Sequence, residues 1–192
     1  MDEIKTIPTK HNGVTFRSRT EARWAVFFDL MHVVWRYEPE GFQLKSGWYV
    51  PDFWLPGTSS RGEGLGTWVE IKGRTSTTQE NELCQELAAA TRCPVLIFTG
   101  QPADSLKRDW QGHWVANDDP KDSAWMFCPG GGGDGPYCFC ICPKCGTFGF
   151  QWSGLGERIC EAKQHCMEGS TYVTHPRVVE AADAASIRSF WK

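Results

Sequence analysis

The chain has 192 residues, 41% hydrophobic and 22% charged, enough to build a core as one domain or as one domain with a small appended module. Its formal net charge of −3 and pI near 6.0 exclude a global positive field, so phosphate binding would have to come from local basic clusters or bound metal ions. The start, "MDEIKTIPTKHNG", lacks the apolar stretch of a secretory leader, and no run of about 18 apolar residues offers a membrane span. The expectation is therefore a cytoplasmic protein with no membrane partner.

Residues 18–32, "SRTEARWAVFFDLMH", predict a helix. Trp24, Phe27, Phe28 and Met31 recur at i, i+3, i+4 and i+7, giving one apolar face, and Ser18 with Glu21 matches a capping box. Three strands are expected next, in "VVWRYEPEGFQL", "WYVPDFWL" and "TWVEIKG", rich in Val, Trp, Tyr and Phe and divided by turn residues. The link at 56–67 carries four glycines and reads as a mobile loop. "TTQENELCQELAAATRC" predicts a second helix with a Thr cap and Leu83, Leu87 and Ala90 on one side, and "PVLIFTG" predicts a buried strand. The order helix, three strands, helix, strand implies a mixed α/β fold, a central sheet flanked by helices.

Residues 104–136 are polar and glycine-rich and read mainly as connection. Seven of the nine cysteines lie after residue 127, and in a reducing compartment that skew points to metal rather than disulfides. "CPKCG" places Cys142 and Cys145 at zinc-knuckle spacing; "CEAKQHC" supplies Cys160 and Cys166 to complete a Cys₄ site for a structural Zn²⁺. His165, Cys140 and Cys138 are alternatives for the second pair. Cys84 and Cys93, each alone, read as ordinary packing. Phe148, Phe150 and Trp152 alternate on one strand and serve either as the module's core or as a surface for stacking on bases. The tail "THPRVVEAADAASIRSFWK" predicts a terminal helix with Pro176 in its first turn and Ile187, Phe190 and Trp191 docking it. The expected organisation is a core at 1–103, a connection at 104–136, a zinc-binding module at 137–170 and a C-terminal helix at 171–192.

The chemistry-bearing residues sit in the most strand-like stretches. Asp52 follows Pro51 in "WYVPDFWLP", and Glu70 and Lys72 flank Ile71 in "TWVEIKG". Side chains alternate along a strand, so Glu70 and Lys72 share one face while Ile71 points the other way. Two converging acids suit Mg²⁺ or Mn²⁺, which want oxygen ligands, and the Ile71 carbonyl offers a third. Lys72 would then position or deprotonate a water and stabilise developing charge, the parts that phosphodiester hydrolysis requires. The alternative is structural, with Asp52 as a turn residue and Glu70–Lys72 as an exposed salt pair on an edge strand.

"FRSRTEARWAVFFD", "YEPEGFQL", "PDFWLP", "WVEIKG" and "THPRVVEAADAASIRSFW" together resemble the PD-(D/E)XK nuclease superfamily, and in particular small nuclease-like proteins of phages and actinobacteria. The resemblance spans most of the chain outside 104–136. It implies a restriction-endonuclease-like αβββαβ core with an appended zinc-ribbon-like module, in a bacterium or a phage-infected host. It also implies Asp52 and Glu70 as metal-binding acids, Lys72 as the catalytic lysine, and Glu21 as the first-helix acid at the metal. Glu21 keeps a second reading as a helix cap. Arg17, Arg19 and Arg23 read as solvated helix-end charges that beside a metal site could contact phosphates; Arg19 and Arg74 are the candidate phosphate contacts, and Gln79, where some related nucleases place a glutamine, otherwise reads as a first-turn helix residue. The implied activity is metal-dependent cleavage of nucleic acid, DNA in the first place, with a homodimer required if the substrate is a junction. The competing readings are a non-catalytic nucleic-acid-binding or adaptor protein on the same fold, and a redox or zinc-handling protein built on the cysteines.

Overall fold

A computed structural model of the chain describes residues 7–58, 66–106, 124–130, 135–141, 146, 148–152 and 175–190. The chain opens with a hairpin that the sequence reading did not anticipate, β1 (Thr9–His11) and β2 (Val14–Phe16). Asn12 and Gly13 turn it with φ of 47° and 81°, the left-handed pair that a two-residue hairpin needs. Helix α1 (Arg19–Leu30) follows, with Ser18 as N-cap accepting from the Glu21 amide. Its expected apolar face is real. Trp24, Phe27 and Phe28 are fully buried and Met31 nearly so, and Trp24 stacks on Phe98 with ring centroids 4.2 Å apart.

Two of the expected strands divide. "VVWRYEPEGFQL" yields β3 (Arg36–Tyr37) and β4 (Phe42–Leu44), separated where Glu38 takes a left-handed φ of 41° ahead of Pro39. "WYVPDFWL" yields β5 (Gly47–Tyr49) and β6 (Phe53–Pro56), parted around Pro51, whose ring cannot donate to a ladder. Asp52 therefore stands immediately before β6 rather than within a strand. Among the described residues β4 and β5 pair only with each other. β7 (Gly66–Lys72), α2 (Thr78–Thr91) and β8 (Val95–Thr99) form as expected. Thr77 and Glu80 make a full capping box on α2, and Arg92 in the left-handed region ends it. The buried side of α2 is Cys84, Leu87 and Ala88; Ala90 is exposed, which corrects the expected face. A short 3₁₀ helix (Pro102–Leu106) follows β8.

Residues 104–136 are not merely a connection. β9 (Ala124–Phe127) lies within them and pairs with β8, and β10 (Gly135–Ile141) begins there. Four apolar residues behind a polar stretch suffice because the neighbouring strands supply the context that a short segment lacks. β10 pairs with β9 and with β11 (Phe148–Trp152). Among the described residues the main sheet runs β11-β10-β9-β8-β7-β6-β3, with β7 and β8 parallel through the α2 crossover and the other pairs antiparallel. α3 (Pro176–Ser186) starts with Pro176 at its first turn, as expected. Phe190 packs beside the core, but Ile187 is 80% exposed and does not dock. Trp191 lies outside the described residues, and no described helix is long and apolar enough to cross a membrane.

Period-two alternation along β7 and β8 divides the interior into two layers. Val69, Ile71, Leu96 and Phe98 join the cluster containing α1 and α3. Trp68, Val95 and Ile97 join the cluster containing α2 and Leu44 of the β4–β5 hairpin. Helices thus cover both faces of the sheet, and every residue of β7 except Lys72 is buried. Phe139 and Phe148 lie in the α1-side cluster, where they pack against Phe27, so Phe148 is core rather than a stacking surface.

Candidate functional site

Four elements bring the acidic side chains together. Phe53 of β6 is opposite Val69 of β7, which sets Asp52 beside the Glu70–Ile71 step. The Ile71 amide donates to Asp52 Oδ2 across 2.7 Å, so β7 itself fixes that carboxylate. Glu70 shares its strand face with Lys72, as alternation requires, and Lys72 Nζ donates to Glu70 Oε1 at 2.6 Å. Tyr49, at the end of β5, donates its hydroxyl to Glu70 Oε2 at 2.7 Å. Glu21, in the first turn of α1, accepts from the Tyr37 and Ser18 hydroxyls, each at 2.6 Å, and from the Arg17 amide at 3.1 Å. Glu21 is 7% exposed, Glu70 5% and Asp52 2%.

Glu21 takes part in the start of α1 and faces the acidic cluster. It belongs to the N-terminal hydrogen bonding of α1, although its side chain accepts from the Arg17 amide rather than from that of the cap residue Ser18. It is also one of the charges felt by Asp52.

The buried acids strain one another electrostatically. Burial, then the charges of Glu70 and Glu21, hold the Asp52 carboxyl well above the ordinary aspartate range, against the pull of the Ile71 amide and Arg17. Arg17 answers this. Its Nη2 lies 2.5 Å from Asp52 Oδ1 and its Nε 2.8 Å from Glu38. Burial alone would lower the Lys72 pKa, but Glu70 and Glu80 outweigh it and raise it, so Lys72 is held as a cation. Glu80 stands 3.3 Å from Lys72 Nζ and takes both arms of the Arg74 guanidinium, at 2.9 and 3.2 Å.

No family model, no curated protein and no solved structure matches this chain. The chemistry of the site therefore rests on its own geometry.

Asp52, Glu70, Lys72 and Glu21 come together, as the sequence predicts. The amide of Ile71, rather than its carbonyl, makes the contact seen at Asp52. Arg19 is exposed at the first residue of α1; Arg74 is exposed but committed to Glu80; Gln79 is exposed on the first turn of α2. Cys142, Cys145, Cys160, His165 and Cys166 lie outside the described residues, as do the side chains of Cys138, Cys140, Phe150 and Trp152, although the backbones of the latter four belong to β10 and β11. Sequence reasoning preferred Arg19 and Arg74 to Arg17 and passed over Tyr37, Tyr49 and Glu80 as participants. Arg17 had a signal, four residues before Glu21 in "FRSRTE"; the tyrosines had none, because their roles depend on strand pairing across the fold.

A hard divalent cation is what the donor set fits in kind. Buried carboxylate oxygens repel one another, and a positive group, the Arg17 guanidinium, already sits on one of them. As these side chains stand, however, no three His, Cys, Asp or Glu groups among the described residues converge closely enough to hold an ion. An ion on Asp52 Oδ1 would take the place that Arg17 now holds.

Proposed function

We propose that the protein is a divalent-cation-dependent nuclease of the PD-(D/E)XK type, a phosphodiester hydrolase acting on DNA as an endonuclease. One observation carries this reading: Asp52, Glu70 and Lys72 meet at the ends of adjacent strands in a buried, electrostatically frustrated acidic cluster that includes Glu21. An isolated fold gains nothing from such a cluster, because burying charges beside like charges opposes folding. The cost makes sense if the charge is used.

Asp52 and Glu70 would hold Mg²⁺ or Mn²⁺, with the Ile71 carbonyl as a further oxygen ligand. The cation, when bound, supplies polarisation of the phosphate oxygens and an acidified water. Lys72, held protonated, acts as a fixed positive charge for the developing oxyanion rather than as the base that its sequence context also allowed. Tyr49 and Tyr37 orient Glu70 and Glu21. Arg19 and Arg74 are the proposed phosphate contacts, Arg74 after leaving Glu80. Zinc held by Cys142, Cys145, Cys160 and Cys166 is proposed as a structural partner, and one equivalent of zinc in metal analysis, lost in cysteine variants, is the expected result.

The test is cleavage of a panel of duplex, branched and single-stranded DNA in Mg²⁺ or EDTA. Expected is cleavage in Mg²⁺ alone, lost in Asp52→Asn, Glu70→Gln and Lys72→Gln. Binding without cleavage, indifferent to Mg²⁺ and to those substitutions, would instead identify a non-catalytic adaptor.

A further inference from the structure

Arg17 is unlike the other cations of the site. It lies between β2 and α1, its backbone amide is fixed by Glu21 and Tyr37, and its side chain is 57% exposed while the acid it reaches is 2% exposed. Its Nε is tied to Glu38 and its Nη2 to Asp52 Oδ1. The fork therefore has an inner end on a buried carboxylate and an outer tether at the rim.

We propose that Arg17 is a counter-ion in exchange: it neutralises Asp52 in the cation-free protein, yields Oδ1 to the divalent cation, and turns its guanidinium to a substrate phosphate. This rests on the nuclease reading above. The guanidinium and a divalent cation compete for one oxygen and repel one another, so both cannot occupy Oδ1. Glu38 keeps the displaced side chain at the mouth of the site. A planar guanidinium matches phosphate oxygens as well as carboxylate oxygens, so its second partner costs no new geometry. The exchange makes Arg17 a positioning residue whose phosphate contact forms only once the cation is in place.

The experiment is calorimetric titration of Mn²⁺ into the full chain, for the wild type, Arg17→Gln, Arg36→Gln and Asp52→Asn, followed by binding of a duplex oligonucleotide in Ca²⁺. Arg17→Gln is expected to bind Mn²⁺ on the order of tenfold more tightly, the factor for one lost competing ion pair. It is expected to bind the duplex more weakly in Ca²⁺. Arg36→Gln removes an equal, exposed charge without the Asp52 contact and should leave Mn²⁺ affinity at the wild-type value. Opposite signs for cation and DNA distinguish exchange from a structural ion pair. Equal or weaker Mn²⁺ binding by Arg17→Gln overturns the exchange; if Asp52→Asn still loses Mn²⁺ in that case, the nuclease reading stands without it. Absence of Mn²⁺ binding in both the wild type and Arg17→Gln overturns both. Should Arg17→Gln fail to fold, Arg17→Met keeps the aliphatic stem, removes the charge and gives the same comparison.

Discussion

The hydroxyl of Tyr49 donates to Glu70 Oε2 across 2.7 Å, from the β4–β5 hairpin to the C-terminal end of β7 in the main sheet. The same hydroxyl lies 3.8 Å from the buried Cys84 thiol, and burial, Cys84 and Glu70 together push the Tyr49 pKa up, so it stays a donor. Tyr49→Phe leaves one Glu70 oxygen without this donor. A hydrogen bond to a charged group contributes about 1.5–3 kcal/mol, and the variant should lose stability of that order in urea titration. Its cleavage rate should fall by about tenfold or more, because a carboxylate that is no longer oriented holds its cation less well. Unchanged cleavage would show that Tyr49 does not orient Glu70.

Asp52→Asn separates function from stability. The folded-state pKa of Asp52 is raised, so its contribution to stability is present below the unfolded value and lost as pH rises through the folded one. Once ionised, the wild-type side chain is therefore an unfavourable charge that the amide lacks. Single stabilising changes of this kind are commonly about 0.5–2 kcal/mol, and each kcal/mol raises Tm by about 2–4 °C in a chain of this size. Thermal melts should show the variant gaining stability over the wild type as pH rises and the gap closing in acid, while cleavage is abolished.

Glu80 gives the opposite pH dependence. Burial would raise its pKa, but Arg74, the Thr77 amide and Lys72 lower it from 4.5 to about 2. Its contribution is therefore present above the unfolded value and lost as pH falls from 4.5 towards 2. Glu80→Gln should lower stability at pH 7 by about 0.5–1 kcal/mol, as expected for a partly solvated ion pair, and flatten the melting profile across that acid window.

Gly66 tests the packing that sets the site's register. A Cβ built there would lie 2.3 Å from the Trp54 ring and 2.9 Å from the Leu55 carbonyl oxygen, so β6 and β7 approach closely only because residue 66 has none. Gly66→Ala should destabilise by about 1–3 kcal/mol, the range for overpacking, measured as a lower urea midpoint. Cleavage should fall with it, since Asp52 is aligned to Ile71 through the β6–β7 pairing.

What was legible in the sequence was what local pattern determines. The 3.6-residue repeat of Trp24, Phe27, Phe28 and Met31 gave α1, a Thr cap gave the start of α2, and alternation put Glu70 and Lys72 on one face. What escaped depended on partners distant in the chain. β9 is four residues long and becomes a strand by sitting between β8 and β10. β4 and β5 read like core strands, but the turns at Glu38 and Pro51 detach them into a hairpin that delivers Tyr49. Arg17 looked like one of several helix-end charges, and only the placement of Asp52 beside Ile71 shows which arginine reaches it. The apolar face expected of α2 erred because Cys84 and Ala88, not Ala90, face the sheet.

The most direct measurement is nicking of supercoiled plasmid in Mg²⁺ by the wild type and by Glu70→Gln, side by side with EDTA controls. The account predicts cleavage by the wild type in Mg²⁺ only, and loss of at least about a hundredfold in the variant, the scale set by removing a group that holds or stabilises charge in the transition state. Cleavage that persists in Glu70→Gln, or no cleavage by the wild type of any DNA form in Mg²⁺ or Mn²⁺, would contradict it.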